Sequence, residues 1–175
     1  MLKIFIPALL LLPALTSNCQ GTAAANSKNS VVRLTKEAEP GKPFTLEIKV
    51  LDIDTRQPVK DAEVFAYQTN HVGDYERDSK GVARIHGTAF SDEKGAIKFY
   101  TIYPRGYNNS PSGEHIHFVV QGKGYKKEDK ELIFSDYYQK RYDTKNPKTH
   151  TIYLESLDEK DGKMHGLATM YMKKG

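Results

Sequence analysis

His115-Ile116-His117-Phe118-Val119-Val120 alternates imidazole or valine with large apolar side chains, and Phe44-Thr45-Leu46-Glu47-Ile48-Lys49-Val50 alternates apolar with polar over seven positions. A period of two is the mark of a β-strand with one buried face, because successive side chains leave opposite faces of the pleat. In the first stretch this puts Ile116 and Phe118 on one face and both imidazoles on the other, about 7 Å apart along the strand. Two imidazoles so placed can converge on one metal ion, and they can equally be half-buried, hydrogen-bonded residues of a sheet.

Outward from these two stretches, the pattern repeats in short pieces. Ala62 to Tyr67, Ala96 to Ile102, Glu131 to Phe134, Thr149 to Leu154 and Gly166 to Met172 read as further strands. Asp54 to Pro58, Ser91 to Gly95 and Gly122 to Gly124 carry turn residues between them. The stretch from Gln68 to Gly87 reads as one long loop, and a loop of that length in a compact domain usually performs a function. The charge run from Lys126 to Glu131 reads as a solvated loop. With no helical period and no internal repeat, the expected class is all-β, an antiparallel two-sheet sandwich with long functional loops.

The first residues set a compartment. Lys3 precedes an apolar run from Ile4 to Leu15 that is too short to span a bilayer, as in an export signal. Cys19, the one cysteine of the chain, follows directly, so an intrachain disulfide is impossible and residues 1–18 read as a lipoprotein-type signal peptide. Cleavage after Ala23-Ala24-Ala25 is the alternative and would give a secreted or periplasmic protein. Residues 19–40 read as a flexible tether and 41–175 as one domain, lipid-anchored to a bacterial membrane through Cys19. The formal net charge is +4, spread without a dense basic stripe, which argues against a nucleic-acid partner. There are 11 Tyr, 7 Phe and no Trp; tyrosine can pack, hydrogen-bond or, as phenolate, bind a hard cation.

In order along the chain stand Pro58-Val59 with Ala62-x-Val64, Asn70-His71-x-Gly73-x-Tyr75, Ser91-Asp92-x-x-Gly95, Thr101-Ile102-x-Pro104-x-x-Tyr107 and His115-Ile116-His117-Phe118. This ordered series, over residues 50–136, resembles the intradiol ring-cleavage dioxygenases, the protocatechuate and catechol dioxygenase type. The resemblance implies a mononuclear Fe(III) held by Tyr75, Tyr107, His115 and His117, with Tyr107 the ligand displaced by substrate. It also implies a catechol-type substrate opened by O2 between its two hydroxyls. The set is chemically coherent, since a hard ferric ion favours anionic oxygen while imidazole supplies borderline nitrogen.

Tyr67, Tyr100 and Tyr103 are nearby rivals, but the first two fall inside strands and Tyr103 precedes a proline. The chain also departs from the pattern. Where the family carries an arginine three residues before the first histidine it has Ser112, and at a position often occupied by glutamine it has Glu131. Arg84 and Arg105 are the residues considered for the missing charge, and His71 and His86 read as surface residues of the loop. The rivals to the dioxygenase are a non-catalytic sandwich binding a carbohydrate, peptide or catechol-bearing ligand, and a zinc or copper site built on the histidines alone.

Overall fold

The computed structural model describes residues 28–36, 38–108, 113–134, 150 and 152–175. The signal, Cys19, the alternative cleavage point and Ser112 lie outside them. Nine strands are described: β1 (Val31–Arg33), β2 (Pro43–Asp52), β3 (Glu63–Gln68), β4 (Ile85–Phe90), β5 (Ala96–Ile102), β6 (His115–Gly122), β7 (Tyr125–Ile133), β8 (Ile152–Lys160) and β9 (Lys163–Met172). They form a five-stranded sheet, β1-β5-β2-β9-β8, and a four-stranded sheet, β4-β3-β6-β7. The all-β two-sheet sandwich is as the alternation predicts. The smaller sheet is antiparallel throughout, whereas the larger is mixed, with β1 parallel to β5 and β2 parallel to β9.

The buried faces of the alternating strands make the core. Phe44, Leu46, Ile48 and Val50 of β2 and Ile97 and Phe99 of β5 meet Val64 and Ala66 of β3, Ile116, Phe118 and Val120 of β6, and Leu132 of β7. Phe99 and Phe118 touch across the middle, ring centroids 6.2 Å apart. Since Ile116 and Phe118 point inward, His117 points out of the smaller sheet, and that fixes the face on which any chemistry must occur.

Three sequence readings are corrected. The charge run from Lys126 to Glu131 is strand β7, paired with β6 from His115↔Ile133 to Gly122↔Tyr125. An edge strand tolerates this composition because one of its faces is wet. Lys130 is buried, its Nζ 2.8 Å from a Glu128 carboxylate oxygen, so polar residues also fill the inward positions and hide the alternation. Ile85 to Phe90, partly assigned to the long loop, is β4. Val31 to Arg33, placed in the tether, is β1, and Leu34 beside it joins the core.

Asp52 closes β2. Its Oδ1 accepts from the amides of Asp54 (3.0 Å) and Thr55 (2.8 Å), and its Oδ2 accepts from the Tyr125 hydroxyl of the other sheet at 3.0 Å. These donors, the Thr55 amide first, hold the carboxyl at about 2. An unfolded aspartate titrates near 3.9, so the stabilisation is fully present above that pH and lost as pH falls through about 2. Acid unfolding of Asp52→Asn, followed by tyrosine fluorescence, should therefore show a shallower stability loss between about pH 4 and 2 than the unsubstituted chain. Superimposable acid limbs would reject this role.

Candidate metal centre

The four residues named from the sequence meet on the outer face of the smaller sheet. His115 and His117 come from β6, Tyr75 from the loop after β3 and Tyr107 from the loop after β5. The Tyr107 hydroxyl lies 2.8 Å from the Tyr75 hydroxyl, 3.1 Å from His115 Nε2 and 3.3 Å from His117 Nε2.

Local sequence explains how two loops deliver the tyrosines. Buried Gln68, at the end of β3, donates from Nε2 to the Ile102 carbonyl at 2.9 Å and accepts from the Thr101 hydroxyl at 3.0 Å. The Thr69 hydroxyl donates to the Arg105 carbonyl at 2.5 Å. Asn70 Oδ1 accepts from the amides of Val72 and Asp74, both at 3.0 Å, which folds the Asn70-to-Tyr75 segment into a compact turn. At Gly73, φ is +86° and an added Cβ would come within 2.5 Å of the Gly106 carbonyl oxygen, so only glycine lets the two loops touch. The Asn-His-x-Gly-x-Tyr spacing is thus a backbone device that sets Tyr75 against Tyr107.

The histidines are oriented from behind. His115 Nδ1 donates to the Gly113 carbonyl at 2.8 Å, and His117 Nδ1 lies 3.2 Å from a Glu131 carboxylate oxygen. Each partner places the imidazole proton on Nδ1 and leaves an Nε2 lone pair facing Tyr107. Tyr67, across from His117 in the β3–β6 pairing, stacks on its ring at 4.8 Å and 12°. Burial, followed by the charge of His115, pushes the His117 pKa down, toward the neutral imidazole that binds metals.

Burial above all, and then the hydrogen bond its hydroxyl donates to Tyr107, drives Tyr75 well above the usual phenol range, so only a cation at the site would ionise it. Proton counting makes the same point. The Tyr107 hydroxyl has one proton to offer two imidazole lone pairs, so the metal-free set is short of a donor. A single cation among the four side chains would satisfy every oxygen and nitrogen at once, and two phenol oxygens with two imidazole nitrogens suit Fe(III). Among the described residues, no group of three or more His, Cys, Asp or Glu gathers to hold a metal.

Of the rival tyrosines, Tyr67 stands beside the centre, whereas Tyr100 and Tyr103 lie elsewhere. Tyr103 packs edge-on to Phe44 at 5.6 Å, and burial raises its pKa to about 12. Tyr100 faces Arg33 on β5. His86 Nδ1 bonds to the Ala83 carbonyl, and exposed His71 lines a separate hollow with Tyr103, Arg105 and Glu114. Neither arginine considered from the sequence reaches the centre: Arg84 forks onto Glu39 (2.6 and 2.8 Å) and also pairs with Glu76, while Arg105 belongs to that hollow. Among the described residues, Arg77 places a cation beside the site, its guanidinium carbon 4.5 Å from the Tyr75 ring centroid. Sequence reasoning missed Arg77 and the stacking role of Tyr67. For Tyr67 a signal existed, since it shares strand parity with the outward face of β3.

The chain is thus a two-sheet sandwich with two tyrosines and two histidines gathered on one face. Its fold is shared with 3-chlorocatechol 1,2-dioxygenase of Rhodococcus opacus 1CP (TM-score 0.62, 18% identity, covering 82% of this chain and 65% of that one). It is shared as well with the dioxygenase domain of a dioxygenase carbohydrate-binding protein fusion from Streptomyces sp. SirexAA-E (TM-score 0.64, 20% identity, 89% and 96%). An intradiol ring-cleavage dioxygenase of Tetranychus urticae is a third such structure (TM-score 0.60, 16% identity, 87% and 90%). The chain spans about two thirds of the chlorocatechol enzyme. No curated protein matches the sequence. The Dioxygenase family profile (Dioxygenase_C) matches residues 17–140, and the chain belongs to this family, the intradiol ring-cleavage dioxygenases.

Proposed function

We propose that this protein is an exported, non-haem Fe(III) dioxygenase that opens a catechol-type ring between its hydroxyls with O2. The observation that carries the reading is the convergence of Tyr75, His115 and His117 on the Tyr107 hydroxyl with one proton too few. Tyr75, Tyr107, His115 and His117 would hold the metal. Bound there, Fe(III) supplies Lewis acidity toward both diol oxygens and activates the ring toward O2.

The chain's own groups divide the remaining work. The histidines sit on a strand inside the sheet and keep their orientation through Gly113, Glu131 and Tyr67. Tyr107 comes from a segment outside the ladder, so with the metal bound its side chain could swing aside and its phenolate oxygen could take a proton from the entering diol, becoming a phenol. Arg77, over the Tyr75 ring, contributes positive charge beside the tyrosine and histidine set.

Iron analysis and visible absorption decide between the readings. Protein reconstituted with Fe(III) should be coloured by tyrosinate-to-iron charge transfer, should change colour on adding catechols, and should consume O2 as the ring opens. A colourless reconstituted protein would reject the centre. Iron and colour without ring opening across a catechol panel would instead favour the non-catalytic binding module, the reading that Ser112 in place of the usual arginine supports. Export rests on residues 1–19 alone. The mass of the mature protein, starting at Cys19 with lipid or at Asn26 without, decides it.

A further inference from the structure

Beside His117 the outer face of the smaller sheet opens into a cavity of about 220 Å³ whose lining includes Tyr67, His117, Asp129, Lys130, Glu131 and His150. The β6–β7 register sets Glu131 opposite His117 and Asp129 opposite Val119, so both carboxylates stand on the face of the proposed centre. Glu131 commits one oxygen to His117 Nδ1 at 3.2 Å, and its side chain is 50% exposed, which leaves the rest of the carboxylate turned to the cavity. The intervening cation does not cancel them. The Lys130 ammonium is fully buried and bonds at 2.8 Å to Glu128, which shares its inward parity on β7. Arg77 caps the Tyr75 ring and does not line this cavity. A molecule reaching from the proposed centre into this cavity would therefore meet the carboxylates of Glu131 and Asp129 on its wall.

Building on the dioxygenase reading above, we propose that Glu131 and Asp129 select the substrate by charge, admitting a catechol whose side chain bears an ammonium group and rejecting one bearing a carboxylate. The diol is held at the tyrosine and histidine set and the stem of the side chain lies against Tyr67. The ammonium group meets the two carboxylates of β7. Such pairs are half in water, so each carboxylate contributes modestly, and selectivity arises from attraction on one substituent and repulsion on the other.

The test compares catechols carrying an aminoethyl chain, a methyl group or a carboxylate at the same ring position, with the iron-loaded protein. The aminoethyl compound should exceed the carboxylate in kcat/KM by about tenfold at low salt, and added salt should compress that ratio. Glu131→Gln and Asp129→Asn should each reduce it by about threefold, and the double substitution should bring it near unity. Iron-free protein supplies an independent readout: phenylethylamine should perturb the NMR signals of Tyr67 and His117 at lower concentration than phenylacetate, and the double substitution should erase the difference. Ring opening with no charge preference, or a preference unmoved by both substitutions, overturns the proposal while leaving the dioxygenase intact. If no catechol is opened, the iron-free comparison decides: a charge preference there upholds selection by Glu131 and Asp129, and its absence overturns it.

Discussion

Replacing Tyr107 by phenylalanine should bleach or shift the visible band of the Fe(III)-loaded protein and lower ring opening by about a hundredfold, whereas Tyr103→Phe should change neither. Both tyrosines follow β5, but the Tyr107 hydroxyl has three partners within 3.3 Å at the proposed centre, while the Tyr103 ring packs against Phe44 and Phe134. Loss of the Tyr107 oxygen removes a ligand and also the group that would take the diol proton, so turnover should fall further than iron content. His115→Ala and His117→Ala should mainly lower iron occupancy, because the remaining donors cannot complete the coordination. Glu131→Gln should weaken iron binding less than either, at the lower end of the roughly 10- to 100-fold range for groups that orient a ligand. An unchanged spectrum in Tyr107→Phe would reject the site whatever the histidine variants do.

The second large effect concerns stability. Phe118→Ala should destabilise the fold by about 3–5 kcal/mol, since its ring is 1% exposed at the centre of the sandwich and no backbone shift can fill the gap without parting the sheets. For a chain of this size that corresponds to a melting temperature lower by roughly 10 °C or more. Phe99→Ala should cost a comparable amount. Because the two rings face each other at 6.2 Å, the double variant should cost less than the sum of the singles, by about 1 kcal/mol. Phe65→Ala, on the outward side of β3, should cost clearly less. Denaturant melts of the four variants check this, and equal losses for Phe65 and Phe118 would contradict the assignment of inner and outer faces.

That assignment was legible from the sequence where apolar and polar residues alternate strictly. Residues 44–50, 96–102 and 115–120 do so, and they are the strands that carry the core. The end of β7 was read, as the strand from Glu131 to Phe134, but its earlier part escaped because Glu128 and Lys130 occupy inward positions, so the signal that marks a strand is absent although the ladder is present. β4 escaped because His86, Gly87 and Thr88 interrupt any apolar pattern, and its ladder partner is β3. The hairpin of β8 and β9 did carry a readable signal. Asp161 and Gly162 both have positive φ, as an Asp-Gly turn of two residues requires, and both flanking strands extend to that turn.

For the centre, strand parity alone put the two imidazoles together. The tyrosines could be named only through family resemblance, because their convergence depends on Gln68, Thr69 and Gly73 fastening one loop to another, and such contacts have no periodicity. The same limit explains why Arg77 was passed over. Its position above Tyr75 follows from how the loop folds, and nothing in its spacing from the histidines indicates it.

Residues 28–34 have a consequence for handling the protein. Lys98 donates its amide to the Ser30 carbonyl at 2.8 Å, Leu34 to Tyr100 at 2.8 Å and Phe90 to Asn29 at 2.9 Å, so this short segment laces β5 of one sheet and β4 of the other along the same seam. Leu34 lies close over Gly87, where an added Cβ would come within 2.7 Å of it. A chain trimmed to begin at residue 41, the boundary that composition alone suggests, would lose this lacing. The seven-residue β5 would become a free border with its amides and carbonyls open to another molecule, the circumstance that turns a soluble sandwich into one that associates edge to edge. Solubility, before any loss of chemistry, would be the first property to fail in such a truncation.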